Sequence, residues 1–173
     1  NAIFKIDWVE EKPDFEKHGK TPDIWIMFGN SGHSRLKDEL LSKFPNTYWV
    51  ESGNSFTRKD ENTYELDYFN NNHIRWFFEG LRENNNYGLL YFQDENLNEE
   101  SAKTLKELNL IRNLFIASNA NVNNFWCVTQ NGFKVMNSDT VSPHSAAIAT
   151  LFFGTLEEKM SAFGGLIDYS NSS

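Results

Sequence analysis

The feature that most constrains the fold of this chain is a glycine-containing turn, at residues 29–35, between a strand and a helix. The apolar run from Ile24 to Phe28 predicts a strand that is buried on both faces. After the turn, four apolar residues recur on one face of a predicted helix: Leu36, Leu40, Leu41 and Phe44. A strand, a glycine turn and a helix in this order form the start of a nucleotide-binding βαβ unit.

The turn departs from the glycine pattern that holds a dinucleotide phosphate. That pattern needs glycine at its first, third and sixth positions, where the turn closes, the pyrophosphate approaches the backbone and the helix packs on the strand. Counted from Gly29, the third and sixth positions hold Ser31 and Ser34. A second pattern has three residues between its first and second glycines and one residue between its second and third. Counted from Gly29, it would need glycine where the chain has His33 and Arg35. We therefore predict a degenerate loop that binds no cofactor, comprising Gly29, Ser31, Gly32 and Ser34.

Length, charge and composition exclude several classes of protein. The 173 residues include 15 Phe and 5 Trp, enough to build one hydrophobic core without disulfides or metals. A net charge of -8 argues against a broad basic surface for nucleic acid or an anionic membrane. The sequence contains no run of roughly twenty apolar residues and no charged-then-apolar leader, which predicts neither a membrane span nor a signal peptide.

The single cysteine, Cys127, lies in an apolar run, which predicts a buried strand residue and a reducing, cytoplasmic location.

The ends of the chain predict a segment of a longer protein. It begins at Asn1, without an initiator methionine, and ends in a short serine and asparagine tail, residues 171–173. Residues 1–23 predict a short strand followed by a polar linker. The strand is indicated by apolar residues at alternate positions: Phe4, Ile6 and Trp8. The main domain is predicted to span residues 24–170.

Predicted strands and helices alternate through this domain, which indicates parallel pairing through right-handed crossovers. Further strands are predicted at residues 47–50, 64–66, 87–92, 125–129 and 166–168, with a polar bend near Gly53. Further helices are predicted from the apolar periodicity of residues 74–81, 105–115 and 146–156, with Ser142-Pro143 as a helix start. The asparagine runs at 70–72 and 84–86 are interpreted as loops or helix ends. The predicted fold class is α/β: a truncated Rossmann-like parallel sheet flanked by helices, with an extra N-terminal strand.

Five segments, in this order along the chain, carry a family resemblance. They are Phe4-Lys5-Ile6-Asp7-Trp8, Tyr64-Glu65-Leu66-Asp67, Leu89-Leu90-Tyr91-Phe92, the stretch from Trp126 to Gly132, and the stretch from Ser142 to Asp168. Their order and spacing resemble the amino-terminal, structural half of the ketoreductase of modular polyketide synthases. The likeness extends from residue 3 to about residue 169.

This resemblance implies a truncated fold of the short-chain-dehydrogenase type that binds no cofactor and stabilises a second, catalytic half. The second half would bind NADPH and carry the serine, tyrosine, lysine and asparagine that reduce a β-ketoacyl group. The implied partners are that catalytic half, other polyketide synthase domains and an acyl carrier protein that presents the substrate on phosphopantetheine, with neither nucleic acid nor membrane. For this chain the resemblance implies no catalytic, cofactor-binding or metal-binding residue.

Two positions resemble functional residues and need a separate interpretation. Tyr68 and Asn72 have the spacing of the catalytic tyrosine and asparagine of these ketoreductases. Tyr68, however, lies only about forty residues after the glycine turn, too early to reach a nicotinamide, and no tyrosine has a lysine four residues later. Glu51 lies about twenty residues after Gly29, at the place of a ribose-binding acid, and is interpreted as a solvated strand end.

Metal and hydrolase sites are not predicted. The four histidines, His18, His33, His73 and His144, have no metal-ligand spacing. Ser31 and Ser34 do not form the Gly-x-Ser-x-Gly elbow of a hydrolase. Two alternatives to a structural half remain open: an independent nucleotide-binding oxidoreductase with a divergent phosphate loop, and a protein-interaction module.

Overall fold

The computed structural model describes residues 21–81, 85–93, 101–118, 122–133, 140–157 and 163–169. The strands within them are β1 (Ile24–Gly29), β2 (Thr47–Ser52), β3 (Thr57–Arg58), β4 (Thr63–Leu66), β5 (Tyr87–Phe92), β6 (Val122–Gln130) and β7 (Phe163–Tyr169). The α-helices are α1 (Ser34–Lys43), α2 (Asn71–Glu79), α3 (Ser101–Ser118) and α4 (Pro143–Glu157), and a 3-10 turn (Ser31–His33) precedes α1. The strand predicted near residues 4–8 and most of the predicted linker lie outside the described residues.

The strands form one sheet in the order β3-β4-β2-β1-β5-β6-β7. Neighbouring strands pair in parallel, except that β3 pairs with β4 in the antiparallel sense. From β1 the chain first builds towards β2 and β4 and then crosses to β5, so the strand order reverses between β1 and β5. Ligands of open α/β sheets bind at such a reversal, beyond the carboxyl ends of the strands. The predicted α/β, Rossmann-like architecture is confirmed.

The helices cover the two faces of the sheet unequally. Alternate residues of a strand point to opposite faces, so Ile26 and Phe28 lie on one side of β1 and Met27 on the other. Ile26 and Phe28 belong to the larger core, which includes buried residues of α2, α3 and α4. Met27 belongs to a smaller core with Trp49 and Phe92. Among the described helices, only α1 contributes to it, through three half-buried leucines, Leu36, Leu40 and Leu41. One face of the sheet therefore carries three of the described helices and the other carries one.

Two apolar residues do not lie where the helical periodicity predicted. Phe44 follows the end of α1 and is 47% exposed, because the helix ends at Lys43. Leu105 in α3 is 61% exposed. The buried stripe of α3 instead includes Glu107, which is 3% exposed. A charged residue takes the core-facing position here, and hydrophobic patterning cannot identify such a position.

The connection between β2 and β4 was only partly predicted. Residues 53–62 form the expected bend near Gly53 but also the short strand β3, and they contain no helix. A parallel strand pair is usually joined through a helix, and this connection lacks one. The sequence did not reveal β3 because its two residues are polar and exposed.

The predictions for two other residues are confirmed. Cys127 is fully buried in β6, where burial and, after it, the charge of Glu107 raise the pKa of the thiol, so that the thiol stays protonated. Ser142 precedes α4, and its hydroxyl accepts a hydrogen bond from the Ser145 amide at 3.3 Å, as expected of a cap. No described helix is both long and apolar enough to cross a membrane.

Candidate functional site

The turn between β1 and α1 is closed by its own side chains. The Asn30 amide donates to His33 Nδ1 at 3.2 Å, and the Gly32 amide donates to Asn30 Oδ1 at 2.9 Å. The His33 amide donates to the Asn30 carbonyl at 3.1 Å. Asn30 and His33 thus form a reciprocal capping box around the 3-10 turn that leads into α1.

This capping uses the groups that a phosphate would need. A dinucleotide fold binds pyrophosphate with unpaired backbone N–H groups at the start of its first helix. Here three such groups, those of Asn30, Gly32 and His33, already have partners inside the turn. An anion at this position would compete with hydrogen bonds that the folded chain makes by itself. That the loop binds no cofactor stays a prediction, and the geometry gives it a physical reason.

The glycine at position 29 is explained by packing. A Cβ atom at Gly29 would lie 2.5 Å from Cζ2 of Trp49, whose ring is fully buried. No substitution at this position fits without displacing the indole, since real contacts of a Cβ atom are longer. Gly29 therefore serves the contact between β1 and β2, and its presence alone does not indicate a phosphate site.

Tyr68 is a structural residue of this edge of the sheet. Its phenol oxygen lies 2.6 Å from the Gly29 carbonyl and 2.7 Å from the Val50 carbonyl, and the side chain is 7% exposed. The single phenol proton is shared between the two carbonyls, which ties the ends of β1 and β2 together. Asn72 lies in the first turn of α2, where its amide donates to Asn70 Oδ1. The hydroxyl of Tyr68 is thus engaged with the backbone. That the Tyr68 and Asn72 spacing is not catalytic stays a prediction.

Glu51 differs from the solvated strand end that the sequence suggested. Its side chain is 22% exposed, and its two oxygens pair with Lys37 at 2.6 Å and with Lys59 at 3.1 Å. Burial by itself raises the pKa of the Glu51 carboxyl, but hydrogen bonds and charges from the two lysines outweigh it and hold the pKa below its usual value. Lys59 also reaches Glu65 at 2.8 Å. Glu51 therefore links α1 to the β3 hairpin. Its carboxylate is already paired with two lysines, whereas a ribose-binding acid needs its carboxylate for the ribose hydroxyls.

A buried polar network lies behind the turn, between β5, α3 and α4. The Tyr91 phenol donates to Glu107 Oε1. Glu107 Oε2 lies 2.6 Å from His144 Nε2, and the two side chains are 4% and 6% exposed. On its other side, His144 Nδ1 is 2.8 Å from the hydroxyl of Thr104. Burial, the charge of Glu107 and the hydrogen bond to it raise the pKa of Tyr91 well above its usual range, so this phenol stays protonated.

Polar side chains also close the ends of the remaining strands. Gln93 donates to the Ser145 hydroxyl at 2.8 Å and accepts from the Gln130 amide at 3.2 Å. Asp168 accepts hydrogen bonds from the Thr129 hydroxyl at 2.8 Å and from two backbone amides, those of Gly132 and Phe133. Sequence reasoning missed these contacts because each joins residues that are at least 35 positions apart.

The described histidines have structural contacts, and none shares a metal site. His33 packs against the ring of Phe92 at 5.5 Å between centroids, and His73 Nδ1 accepts the Asp67 amide at 3.1 Å. In the parts of the chain that the structure describes, no three His, Cys, Asp or Glu side chains come together to hold a metal ion. His18 lies outside those parts.

Two clefts flank the β1–α1 turn at the carboxyl edge of the sheet. The first, of about 380 Å³, lies against α1 and is lined by His33, Arg35, Gln93 and Thr129, among others. The second, of about 250 Å³, lies against α3 and is lined by Phe69, Tyr91, Lys106 and Leu110, among others. Phe92 lines both clefts, and Tyr68 lines the second. The carboxyl edge of the sheet therefore carries one cleft on each side of the turn.

Comparison with known proteins places the fold. No protein-family model and no curated protein matches the chain. A solved structure of a keto acid-selecting NRPS module, with adenylation, ketoreductase and pseudo Asub domains, matches with a TM-score of 0.73 at 14% identity, over 96% of this chain and 15% of that chain. An N-terminal ketoreductase from a macrolactin assembly line matches with a TM-score of 0.61 at 14% identity, over 87% of this chain and 34% of that one.

A short-chain dehydrogenase from Burkholderia cenocepacia J2315, solved with NADP, matches with a TM-score of 0.52 at 14% identity, over 83% of this chain and 70% of that one. At these identities the likeness concerns the fold. The chain has the Rossmann-like fold of short-chain dehydrogenases, and the resemblance predicted from the sequence is confirmed at that level. It spans 15% and 34% of the first two matched chains, so it corresponds to a part of each.

Proposed function

We propose that this chain is the noncatalytic structural half of a ketoreductase in a polyketide synthase. Its role is to stabilise a second half, which binds NADPH and reduces β-ketoacyl groups carried on an acyl carrier protein. The observation that carries the proposal is the closed turn at Asn30 and His33, because the chain keeps a dinucleotide-binding fold while its phosphate-binding amides are paired internally. A half of this kind needs the architecture for packing and needs no cofactor.

The proposal is supported by a partly exposed apolar surface on the side of the sheet that carries α1. The register pairs Val128 of β6 with Ile167 of β7, so these side chains lie on the same face, and Val128 packs with the smaller core next to α1. Ile167 is 46% exposed and Tyr169, two residues on, is 37% exposed. We call this surface, at Trp126, Val128, Ile167 and Tyr169, the open face. An apolar sheet face of this kind is suited to be covered by another domain.

Co-expression with the NADPH-binding half of the same parent protein tests the proposal. We expect the two halves to purify as a complex, and the thermal midpoint of the catalytic half to rise because binding stabilises the folded state. Ile167→Glu places a charge on the open face and should weaken the complex. The matched control is Phe153→Glu on α4, since Phe153 is similarly exposed, at 43%, but lies on a helix at the other face.

The proposal would be contradicted if the two halves formed no complex and the catalytic half gained no thermal stability. A general protein-interaction module would then be the better description. If Phe153→Glu disrupted the complex and Ile167→Glu did not, the halves would join through the helices and the open face would have another role.

The second candidate is an independent nucleotide-binding oxidoreductase, favoured by the two clefts that flank the turn. It would require a nucleotide to displace the Asn30 and His33 caps. It would also require Glu51 to exchange its lysine partners for a ribose. Both exchanges cost hydrogen bonds that the isolated chain already makes, which is why we favour the structural role.

A further inference from the structure

The cleft against α3 has the position and the lining of a small-molecule site. It lies between the ends of β1 and β5, where the strand order reverses, and Gly29, Asn30, Tyr91 and Phe92 contribute to it. Its volume of about 250 Å³ suits a molecule of one or two rings, since it is slightly below the usual range for drug-sized ligands. It is too small for a dinucleotide that also spans the closed turn.

The walls of the cleft are mainly aromatic and aliphatic. Tyr91 and Leu110 are each 3% exposed and belong to the larger core, and Phe92, at the end of β5, is 9% exposed. Phe69 stands at the rim and is 60% exposed, although its backbone is fixed by a hydrogen bond from its amide to Asp67 Oδ1 at 2.9 Å. An exposed ring on a fixed turn, at the mouth of an apolar cleft, is placed to stack on a planar ligand.

The charges at the cleft favour an anion. Lys106 Nζ lies 5.3 Å from the centroid of the Phe69 ring, and within the described residues it forms no ion pair. The one carboxylate in the lining, that of Glu107, already accepts the Tyr91 proton and faces His144. An acidic group on a ligand would therefore meet the Lys106 ammonium group at the rim. The Glu107 carboxylate is directed towards Tyr91 and His144.

We infer that this cleft binds a planar aromatic monoanion of one or two rings, with its ring between Phe69 and Leu110 and its acidic group on Lys106. This inference is independent of the proposed structural role, because the cleft lies against α3 and away from the open face. It also differs from cofactor binding, because no contact to the amides of the turn is used.

Titration of the isotope-labelled chain with 2-naphthoate, followed by NMR, tests the inference. We expect saturable shifts of backbone signals around Phe69, Tyr91 and Lys106. The neutral 2-naphthamide, which has nearly the same shape, should bind about fivefold more weakly. Lys106→Gln should remove this preference for the anion, and Phe69→Ala should weaken both ligands. Both residues are exposed, so neither change threatens folding.

Lys43→Gln is the matched control, because Lys43 is an exposed lysine of α1 that pairs with Glu39. It should leave the affinity for 2-naphthoate unchanged. The inference is overturned if 2-naphthoate gives no saturable shifts, or if its shifts centre elsewhere. It is also overturned if the amide binds as tightly as the acid, or if Lys106→Gln and Lys43→Gln behave alike.

Discussion

At the scale of single residues, several polar groups at the carboxyl edge of the sheet have partners within the chain. Tyr68 and the pair Asn30 and His33 bond to backbone groups that a ligand would otherwise meet. Glu51 is paired with two lysines. Each of these side chains stabilises the chain without a ligand, so each makes a prediction that unfolding experiments can check.

Tyr68→Phe should lower the free energy of unfolding by about 1 to 2 kcal/mol, because it leaves two buried carbonyls without the phenol proton. Urea denaturation would measure the change. The control is Tyr48→Phe, since Tyr48 is half-buried and packs against Tyr64 but has no hydrogen bond from its hydroxyl within the described residues. Equal losses in the two variants would contradict the role given to the Tyr68 hydroxyl.

Removing either member of the buried pair between Glu107 and His144 should lower the free energy of unfolding by about 1 to 3 kcal/mol, because the other member then stays buried without its polar partner. His144→Leu and Glu107→Leu should therefore each lower the free energy of unfolding. The double variant should lower it by clearly less than the sum of the two single losses. A double-mutant cycle in urea measures this. Additive losses would mean that the 2.6 Å contact contributes nothing as a pair.

Stability should depend on pH through Glu51. The pKa of this carboxyl is lower in the folded chain than its ordinary value of 4.5, so its contribution is fully present above pH 4.5 and is lost as pH falls through the folded value. Denaturation midpoints of the wild type should therefore drop more steeply below pH 4.5 than those of Glu51→Gln. Glu79→Gln is the control, because Glu79 forms only an exposed pair with Arg75. Parallel pH profiles for wild type and Glu51→Gln would contradict this.

At the scale of elements, the strands and helices were largely predictable and their polar contacts were not. The apolar runs at 24–28 and 87–92 each became a strand because continuous hydrophobic segments suit a sheet covered on both sides. The strand β3 and the burial of Glu107 escaped prediction, since neither leaves a hydrophobic pattern. Sequence spacing likewise could not indicate that Tyr68 reaches back to Gly29, because that contact depends on strand order.

The 3-10 turn that leads into α1 offers a test at this scale. Asn30→Ala removes the side-chain oxygen that caps the Gly32 amide and should lower the free energy of unfolding by about 1 kcal/mol. Asn109→Ala is a suitable control, because Asn109 is an exposed residue of α3. It should leave stability unchanged or raise it slightly, since alanine favours helix. Equal effects of the two changes would indicate that the cap contributes nothing.

At the scale of the whole molecule, the chain is a Rossmann-like sheet with three described helices on one face and one on the other, and its β1–α1 turn is closed by the capping box of Asn30 and His33. Among the described elements, only α1 packs on the side of the sheet that carries the open face. In the turn, the amides of Asn30, Gly32 and His33 are paired within the chain. Both features agree with a structural half, and this combination could not be read from the sequence alone, where the turn showed only missing glycines.

The central claim is that the fold is retained without its cofactor site, and calorimetric titration of the chain with NADPH and NADH tests it most directly. We predict no saturable binding tighter than about 1 mM, which corresponds to roughly 4 kcal/mol. A dissociation constant in the micromolar range for either nucleotide would contradict the structural role and would require the Asn30 and His33 caps to open.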